Sequence, residues 1–568
     1  MKKLVKLNEK KSKTFKRVSY FLFFAVLTII GLSGCNDNPD DIDSTIDDPT
    51  VVIQQGDAER ISTENAGVVA LRSAANTTKS ASLSGEEEIV SDMPLVLVAE
   101  VEALTYNGTI LRSTHVCING DYAYVSYNYE GDSYLGAVDM IDISDPYNPF
   151  LVESAIFTET DISSIAYADN TLYLAGAREF IDGDDTNPAI LLKMNLNNGS
   201  LTDDVEIIDM PGYVATDVAL GDNYIYGVSG DNGILGAYSY NDNSLAASAS
   251  LSDLRSVGVN NGQVVILQNG SIRTFDASAL TQNLSFSTPT DVTEAKRTID
   301  FYGTNVLVSE GANGTGIYSL FNGEKLTSIP VADATGLDVA DNEVVTNAVS
   351  VNNEHIFIAN GGVGVSVVSI NSENIADLTD FGSLDLDGSA NYVKSEAGFV
   401  FVADGFGGLK ILKIATIDNG SDGGSGELDC SQYPAYTGGN WLNVNSGQTL
   451  EYSGSASVTG VNVNQNLTWC GSLATSSNLN VNSGGIFYMK GSLAVGNTNS
   501  TTSLAINASS KLIMEGALVI YGDLILNSNS TLEFSGAGST ITIYGNVTIG
   551  DNVTITGTYT DTYNKLNQ

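Results

Sequence analysis

Along most of this chain apolar and polar residues alternate in short runs broken by Asn, Asp and Gly, the pattern of β-strands joined by tight turns. From residue 95 one unit recurs seven times: a short strand, an Asn/Asp/Gly turn, then a Tyr-, Phe- or Val-rich strand. The units begin at His115, Ser164, Asp217, Ser256, Thr298, Ala348 and Tyr392. Their starts lie roughly 40 to 50 residues apart, a propeller-blade period. Turn pairs such as Asn119-Gly120 and Asp169-Asn170 tolerate the positive φ that a tight hairpin needs. The seventh unit lacks a fourth strand before a Gly/Ser-rich stretch, while an orphan alternating run, Leu95–Val101, precedes the first. Placing that run in the last blade closes a ring and removes two open edges. The expectation for residues 95–416 is a seven-bladed β-propeller.

Residues 417–429 read as a Gly/Ser/Asp linker, and beyond it Asp and Glu become scarce. A second repeat then begins at Leu442, Leu479, Leu504 and Leu524, with a shortened copy at Val547. Starts roughly 20 to 37 residues apart suit the coils of a β-solenoid. Stacked coils place Asn445, Asn482, Asn507 and Asn527 above one another, an expected amide ladder at one corner; a polar ligand row is the alternative. Residues 430–568 are thus expected to be a solenoid carried outward from the propeller, in an all-β chain.

The N-terminus is patterned differently. Eight of the 25 basic residues fall within the first 17 positions, and an apolar run from Tyr20 to Ile30 follows. It has the length of an export signal's apolar region and is short for a membrane span. The string Leu32-Ser33-Gly34-Cys35 resembles the bacterial lipobox. That resemblance implies a signal peptide over 1–34 and a diacylated Cys35, attaching the chain to a membrane. Residues 35–94 read as an acidic, low-complexity tether, with a flexible stalk over 51–94 and a short helix near 57–72. The acidic run after Cys35 resembles the export signals of surface lipoproteins of the Bacteroidetes, which implies an outer-membrane anchor facing the exterior; a plain solvated spacer is the alternative.

The formal net charge of the 568 residues is −42, and beyond residue 17 there remain 17 basic against 66 acidic residues. Such a body repels phosphate backbones, which excludes nucleic acid as a partner. Two His and four Cys leave little for acid–base or thiolate catalysis, and no catalytic residues are assigned. His115 and His355 are isolated on strands and read as structural. Cys117 reads as a buried small hydrophobe. In an oxidising compartment Cys430 and Cys470 are expected to form a disulfide capping the first coil, two free thiols being the alternative. The loop holding Asp182, Asp184 and Asp185 offers oxygens for Ca²⁺, as does the run from Asp418 to Asp429; solvated loops are the alternative. No other cofactor is expected. Gly361-Gly-Val-Gly364 and Gly405-Phe-Gly-Gly408 lie between strands and read as hairpins, because a phosphate cradle needs a following helix.

In the first unit, Asp142-Ile-Ser-Asp-Pro-Tyr-Asn-Pro149 resembles the hallmark of the LVIVD repeat, degenerate in the other units. The resemblance covers about residues 95–416 and implies a β-propeller of bacterial surface proteins. The second repeat resembles the right-handed parallel β-helices of bacterial adhesins. Together these imply a lipid-anchored, non-catalytic surface protein binding polysaccharide or protein. The alternatives are a polysaccharide-active enzyme or its accessory subunit with carboxylates in the propeller funnel, and a structural spacer. The oligomeric state is left open.

Overall fold

The computed structural model describes residues 50–69, 71–72, 93, 95–131, 133–179, 187–290, 295–353, 355–414, 430, 432–498 and 501–566. The expected signal peptide with Leu32, Ser33, Gly34 and Cys35, the tether to residue 49, the calcium candidates Asp182, Asp184 and Asp185, and the linker 417–429 lie outside the described residues.

Each propeller unit folds into an antiparallel sheet, its first strand innermost. The inner strands are Arg112–Asn119, Thr160–Ala168, Ala215–Leu220, Leu254–Asn260, Ile299–Tyr302, Val344–Asn352 and Tyr392–Glu396, one for each of seven blades. The turn residues do what their chemistry allows: Asp169 and Asn170 have φ of 47° and 62°, and Asn261 has 49°. Leu95–Val101 pairs antiparallel with Leu409–Ile414 as the fourth strand of blade 7 and closes the ring. The loops Glu310–Gly314, Asn360–Gly364 and Asp404–Gly408 each touch the next inner strand or the residues that lead into it. Gly311 bridges to Thr346, Gly361 to Ala390 and, across the closure, Gly405 to Ser113. The two Gly-rich strings are thus hairpin loops that hook blade to blade.

The expected stalk is corrected from residue 51 to residue 69. Val51–Gln55 is a fifth strand on the outer edge of blade 1, paired with Phe150–Phe157. Ile61–Ser62 and Gly67–Val69 both pair with Leu95–Val101, covering the outer edge of blade 7. The expected helix shrinks to one 3₁₀ turn, Ala58–Arg60. Its Arg60 enters the groove between blades 7 and 1, where Nη2 lies 2.6 Å from Asp139 and 2.7 Å from the Glu102 carbonyl. Asp139 is fully buried. Burial opposes the guanidinium charge, but Asp139 and Tyr127 outweigh it, so Arg60 stays firmly protonated. On blade 7 Lys410 meets Glu100 at 2.5 Å, and Glu100 accepts from the Asn65 amide at 2.8 Å. Two exposed edges beside the closure give these strands a place to pair, which outweighs their poor composition.

The solenoid has six coils, in two parallel sheets. One sheet runs from Trp441–Val444 to Val547–Ile549, the other from Thr449–Val458 to Thr554–Asp561. The coil formed by Gly460–Val463 and Asn466–Thr475 was absent from the sequence repeat, because its turn is shorter and it starts with Val461. Leu442, Val461, Leu479, Leu504 and Leu524 stack in register and are all buried. Gly471, Gly491 and Gly516 sit at positive φ (135°, 126° and 126°), and a Cβ there would lie 2.1 to 2.2 Å from the carbonyl of the glycine one coil back. This close approach explains the glycine that ends the repeat. Cys430 and Cys470 form a disulfide, and beside it Tyr436 covers the first coil by packing on Tyr452 and Trp469.

The solenoid is not carried outward but packs against the propeller rim. Gly67 bridges to Asn497, and the Val68 N–H donates to the Gly496 carbonyl at 3.0 Å. The Thr498 hydroxyl donates to the Glu64 and Ala66 carbonyls at 2.6 and 2.9 Å. Ala474, Ala494 and Tyr521 of the solenoid share an apolar cluster with Ala66, Val68 and Val98. On the side of the ring where inner strands end, the Asn148 amide donates to the Tyr563 hydroxyl at 2.8 Å.

Candidate functional site at the propeller axis

The inner strand of each blade leaves one edge facing the axis, with no further strand to satisfy it. In the first four blades a β-bulge interrupts this strand, between Ser113 and His115, Ile162 and Ser164, Ala215 and Asp217, and Leu254 and Ser256. A bulge frees backbone groups from the ladder and re-aims the next side chain. The residues that follow, with their counterparts in blades 5 to 7, make one ring: His115, Ser164, Asp217, Ser256, Thr298, Ala348 and Tyr392. Two residues on lies a second ring: Cys117, Ala166, Ala219, Gly258, Asp300, Ser350 and Lys394.

Polar members of these rings tie blades 2, 3 and 4 together, and likewise blades 5, 6 and 7. Asp217 accepts from the Ser164 and Ser256 hydroxyls at 2.7 and 2.6 Å and from the Val218 and Val257 N–H groups at 2.9 and 3.0 Å. Asp300 accepts from the Phe301 and Val351 N–H groups, both at 2.8 Å. The Ser350 hydroxyl accepts from the Ser395 N–H at 3.0 Å. Inner-edge donors are thus met by side chains of the preceding blade, a structural use of polar residues.

Lys296 does something further. It lies on the connection between blades 4 and 5, outside the repeat units, and reaches across the axis to blades 1 and 2. There its ammonium donates to the carbonyls of the bulge residues Thr114 and Ser163, at 2.5 and 2.7 Å. It lies 5.4 Å from the centre of the Tyr392 ring, a cation–π distance. His115 stacks on the other side group of this cluster, the Tyr392 ring, with centroids 3.6 Å apart. Burial brings the Lys296 ammonium down to about 7, against the pull of Asp217. Burial, and then the charges of Lys296 and Lys394, push His115 well below its ordinary value. Burial, then Asp300 and Asp217, push Tyr392 well up. Burial raises Asp300, with Lys394 pulling back. Cys117 is a free thiol on an inner strand, packed as expected of a small hydrophobe against the apolar cluster of blades 1 and 2, and burial pushes it up to about 11. A free thiol so shifted is a poor nucleophile.

The longer loops gather on the side of the ring where inner strands begin. Tyr213 and Phe406 belong to loops on that side and are more than half exposed. The same side holds a recess of about 290 Å³ lined in part by Asp338, Glu343, Asp385 and Asp387. Among the described residues no three His, Cys, Asp or Glu are grouped to hold a metal ion. His355 lies away from the axis, on the second strand of blade 6 beside Phe357 and Phe381.

On the solenoid the expected amide ladder is corrected by one member. Asn482 donates to Asn464 at 2.9 Å, Asn507 to Asn482 at 3.1 Å, and Asn527 to Asn507 at 2.8 Å. At the level of Asn445 the Asn464 amide instead donates to the Val444 carbonyl at 3.0 Å, while the Asn445 N–H turns to the Gln448 side chain. A second ladder, Asn480 to Asn462 to Asn443 at 3.0 and 2.9 Å, was not foreseen; the Val-Asn-Val-Asn pattern at 461–464 was its signal.

No protein-family model and no curated protein matches this chain. Among solved structures it is similar to the WD40 β-propeller domain of Doa1, at 12% identity and a TM-score of 0.40, covering 55% of this chain and 96% of that one. The RRP9 WD40 repeats match at 11% identity and 0.40, over 64% and 100%. The Pan2 WD40 domain of Neurospora crassa matches at 7% and 0.39, over 53% and 88%.

Proposed function

We propose that this chain is a lipid-anchored, non-catalytic binding protein of the bacterial outer surface, an LVIVD-type propeller joined to an adhesin-like solenoid, and that the loop-bearing side of the propeller meets a polysaccharide or protein ligand. The observation that carries the reading is the exposure of Tyr213 and Phe406 on loops at one end of a polar axis. Exposed aromatic rings on loops stack on sugars and peptide groups. The solenoid packs on the rim and toward the opposite side, so its docking is compatible with ligand access. The axial acids Asp217 and Asp300 are committed to N–H and hydroxyl donors, an arrangement that favours binding over glycoside cleavage, which needs one carboxyl free to give up a proton.

The test is a glycan-array and cell-adhesion assay on the full chain and on a Tyr213→Ala, Phe406→Ala double variant. Binding should fall at least tenfold in the variant. Unchanged binding, or release of cleaved glycan, sinks the reading. Labelled palmitate should enter the protein and be lost in Cys35→Ala, and protease added to intact cells should digest it.

A further inference from the structure

The acids and bases of the propeller axis are used differently. Asp217 accepts four hydrogen bonds and Asp300 two, all from the blades themselves. The bases keep donors in reserve. Lys296 spends two of its three N–H bonds on backbone carbonyls, and among the described residues it has no carboxylate within ion-pair distance. The Lys394 ammonium likewise has no ion pair or hydrogen bond among the described residues. His115 is 8% exposed, and its Nδ1 has no hydrogen-bond partner. Arg112, at the start of the same inner strand as His115, is by contrast paired with Glu130 at 3.4 Å. In a chain with 17 basic residues beyond position 17, this concentration on one axis is not expected of solvated surface charge. Buried polar atoms are nearly always paired, so a group that accepts from all three side chains at once would complete the arrangement.

We propose that the axis binds a carboxylate group of a small anionic ligand between Lys296, Lys394 and His115. The inference rests on the reading of the loop-bearing side as the binding side, and it names the group that side recognises. A carboxylate has two oxygens and about four lone-pair sites, enough to accept from both ammonium groups and from the imidazole Nδ1–H. The second ring is lined by Ala166 and Ala219 on blades 2 and 3, so the bulk opposite Lys394 is small. A free small carboxylate and the carboxylate of a sugar acid share this chemistry. The groups facing Lys296 and His115 are Asp217, Asp300, Tyr392, Cys117, Arg112 and Lys394. Burial brings the Lys296 ammonium down to about 7. Affinity should therefore be strongest below pH 7 and fall as the pH passes through 7 to 8.

Titration calorimetry on the full chain with acetate, D-glucuronate and D-glucose, at pH 6.5 and 8.5, tests this. Acetate or glucuronate should bind at least tenfold more tightly than glucose, more weakly at pH 8.5, and at least tenfold more weakly to Lys394→Met. No hydrogen bond of the described fold ends on the Lys394 ammonium, but its charge faces the buried Asp300, so this variant and Lys394→Gln should fold with a lowered melting temperature and are titrated below it. They carry the test even if Lys296→Met fails to fold. Glucuronate and glucose binding alike, no binding of either carboxylate, or parent affinity in Lys394→Met overturns the proposal. Acetate binding without glucuronate supports the site and assigns it to free small carboxylates; binding of both extends it to sugar acids. Phe406→Ala should weaken glucuronate and spare acetate. If it spares both while Lys394→Met abolishes both, the axial site stands and the reading of the surrounding loops fails.

Discussion

The propeller and the solenoid solve the same problem, the unsatisfied edge of a strand, in opposite directions. In the propeller every inner edge faces the axis, so polar side chains turn inward: Asp217, Asp300 and Ser350 meet N–H groups of the next blade. In the solenoid each strand pairs with the coils before and after it, so the interior is apolar from Leu442 to Leu566. Its amides stand at the corners as ladders. One consequence is that chemistry is kept inside the propeller and outside the solenoid. Another is that the propeller depends on a few buried polar keys, while the solenoid depends on columns of methyl groups.

That contrast breaks if the keys or the columns prove dispensable. The largest effect is expected for Arg60→Met, which strands Asp139 as an unpaired buried charge. Removing one partner of such a pair costs about 3–5 kcal/mol, read by urea unfolding, with the loss arising in the propeller; a loss under about 1 kcal/mol would mean the ring closes without this key. Leu504→Ala should cost about 3 kcal/mol through the cavity it leaves. Because the column is continuous, the whole solenoid should lose protection from hydrogen exchange together; loss confined to one coil would count against a shared core. A third effect depends on pH. Burial raises the Asp404 carboxyl to about 7, against the pull of Lys410, and its Oδ1 has no partner. A folded-state value above the unfolded one means the folded form holds the proton more tightly. The stability this gives is complete below about pH 4 and is lost as the pH rises through 7. Asp404→Asn keeps an acceptor for the Gly388 N–H and should gain roughly 2 kcal/mol more at pH 8 than at pH 5; an equal gain at both would show that the carboxyl is not strained by its charge. The smallest effect is expected for Asn482→Ala, about 1 kcal/mol, because this corner is open to water.

Much of the fold was legible because both repeats announce themselves by turn chemistry. Asn119-Gly120, Asp169-Asn170 and Asn261-Gly262 mark hairpins by the positive φ that they tolerate, and Leu95–Val101 was legible as a strand lacking a partner. What stayed hidden has physical reasons. Val51–Gln55 and Gly67–Val69 are outer-edge strands in a Ser- and Ala-rich stretch, and only docking partners far along the chain make them strands; the apolar triplet Val51-Val52-Ile53 was the one local signal. Lys296 sits in a connection that no repeat includes, and nothing local says that it crosses a ring. His115, Asp217 and Tyr392 head three of the seven units, yet only ring closure makes neighbours of residues 115 and 392. The missing coil at 460–475 shows that spacing is a weaker guide than the stacking column: Val461 and Val463 keep the column while the turn between strands shortens.

The segment from Val51 to Val69 has a mechanical consequence. It is threaded through the seam where the ring closes, and it also holds Asn497 and Thr498 of the solenoid. A pull on the chain upstream of Thr50 therefore loads the seam directly, first peeling Val51–Gln55 from Phe150–Phe157 one rung at a time. It then meets the Arg60–Asp139 lock, which acts as a brake before either half of the molecule is disturbed.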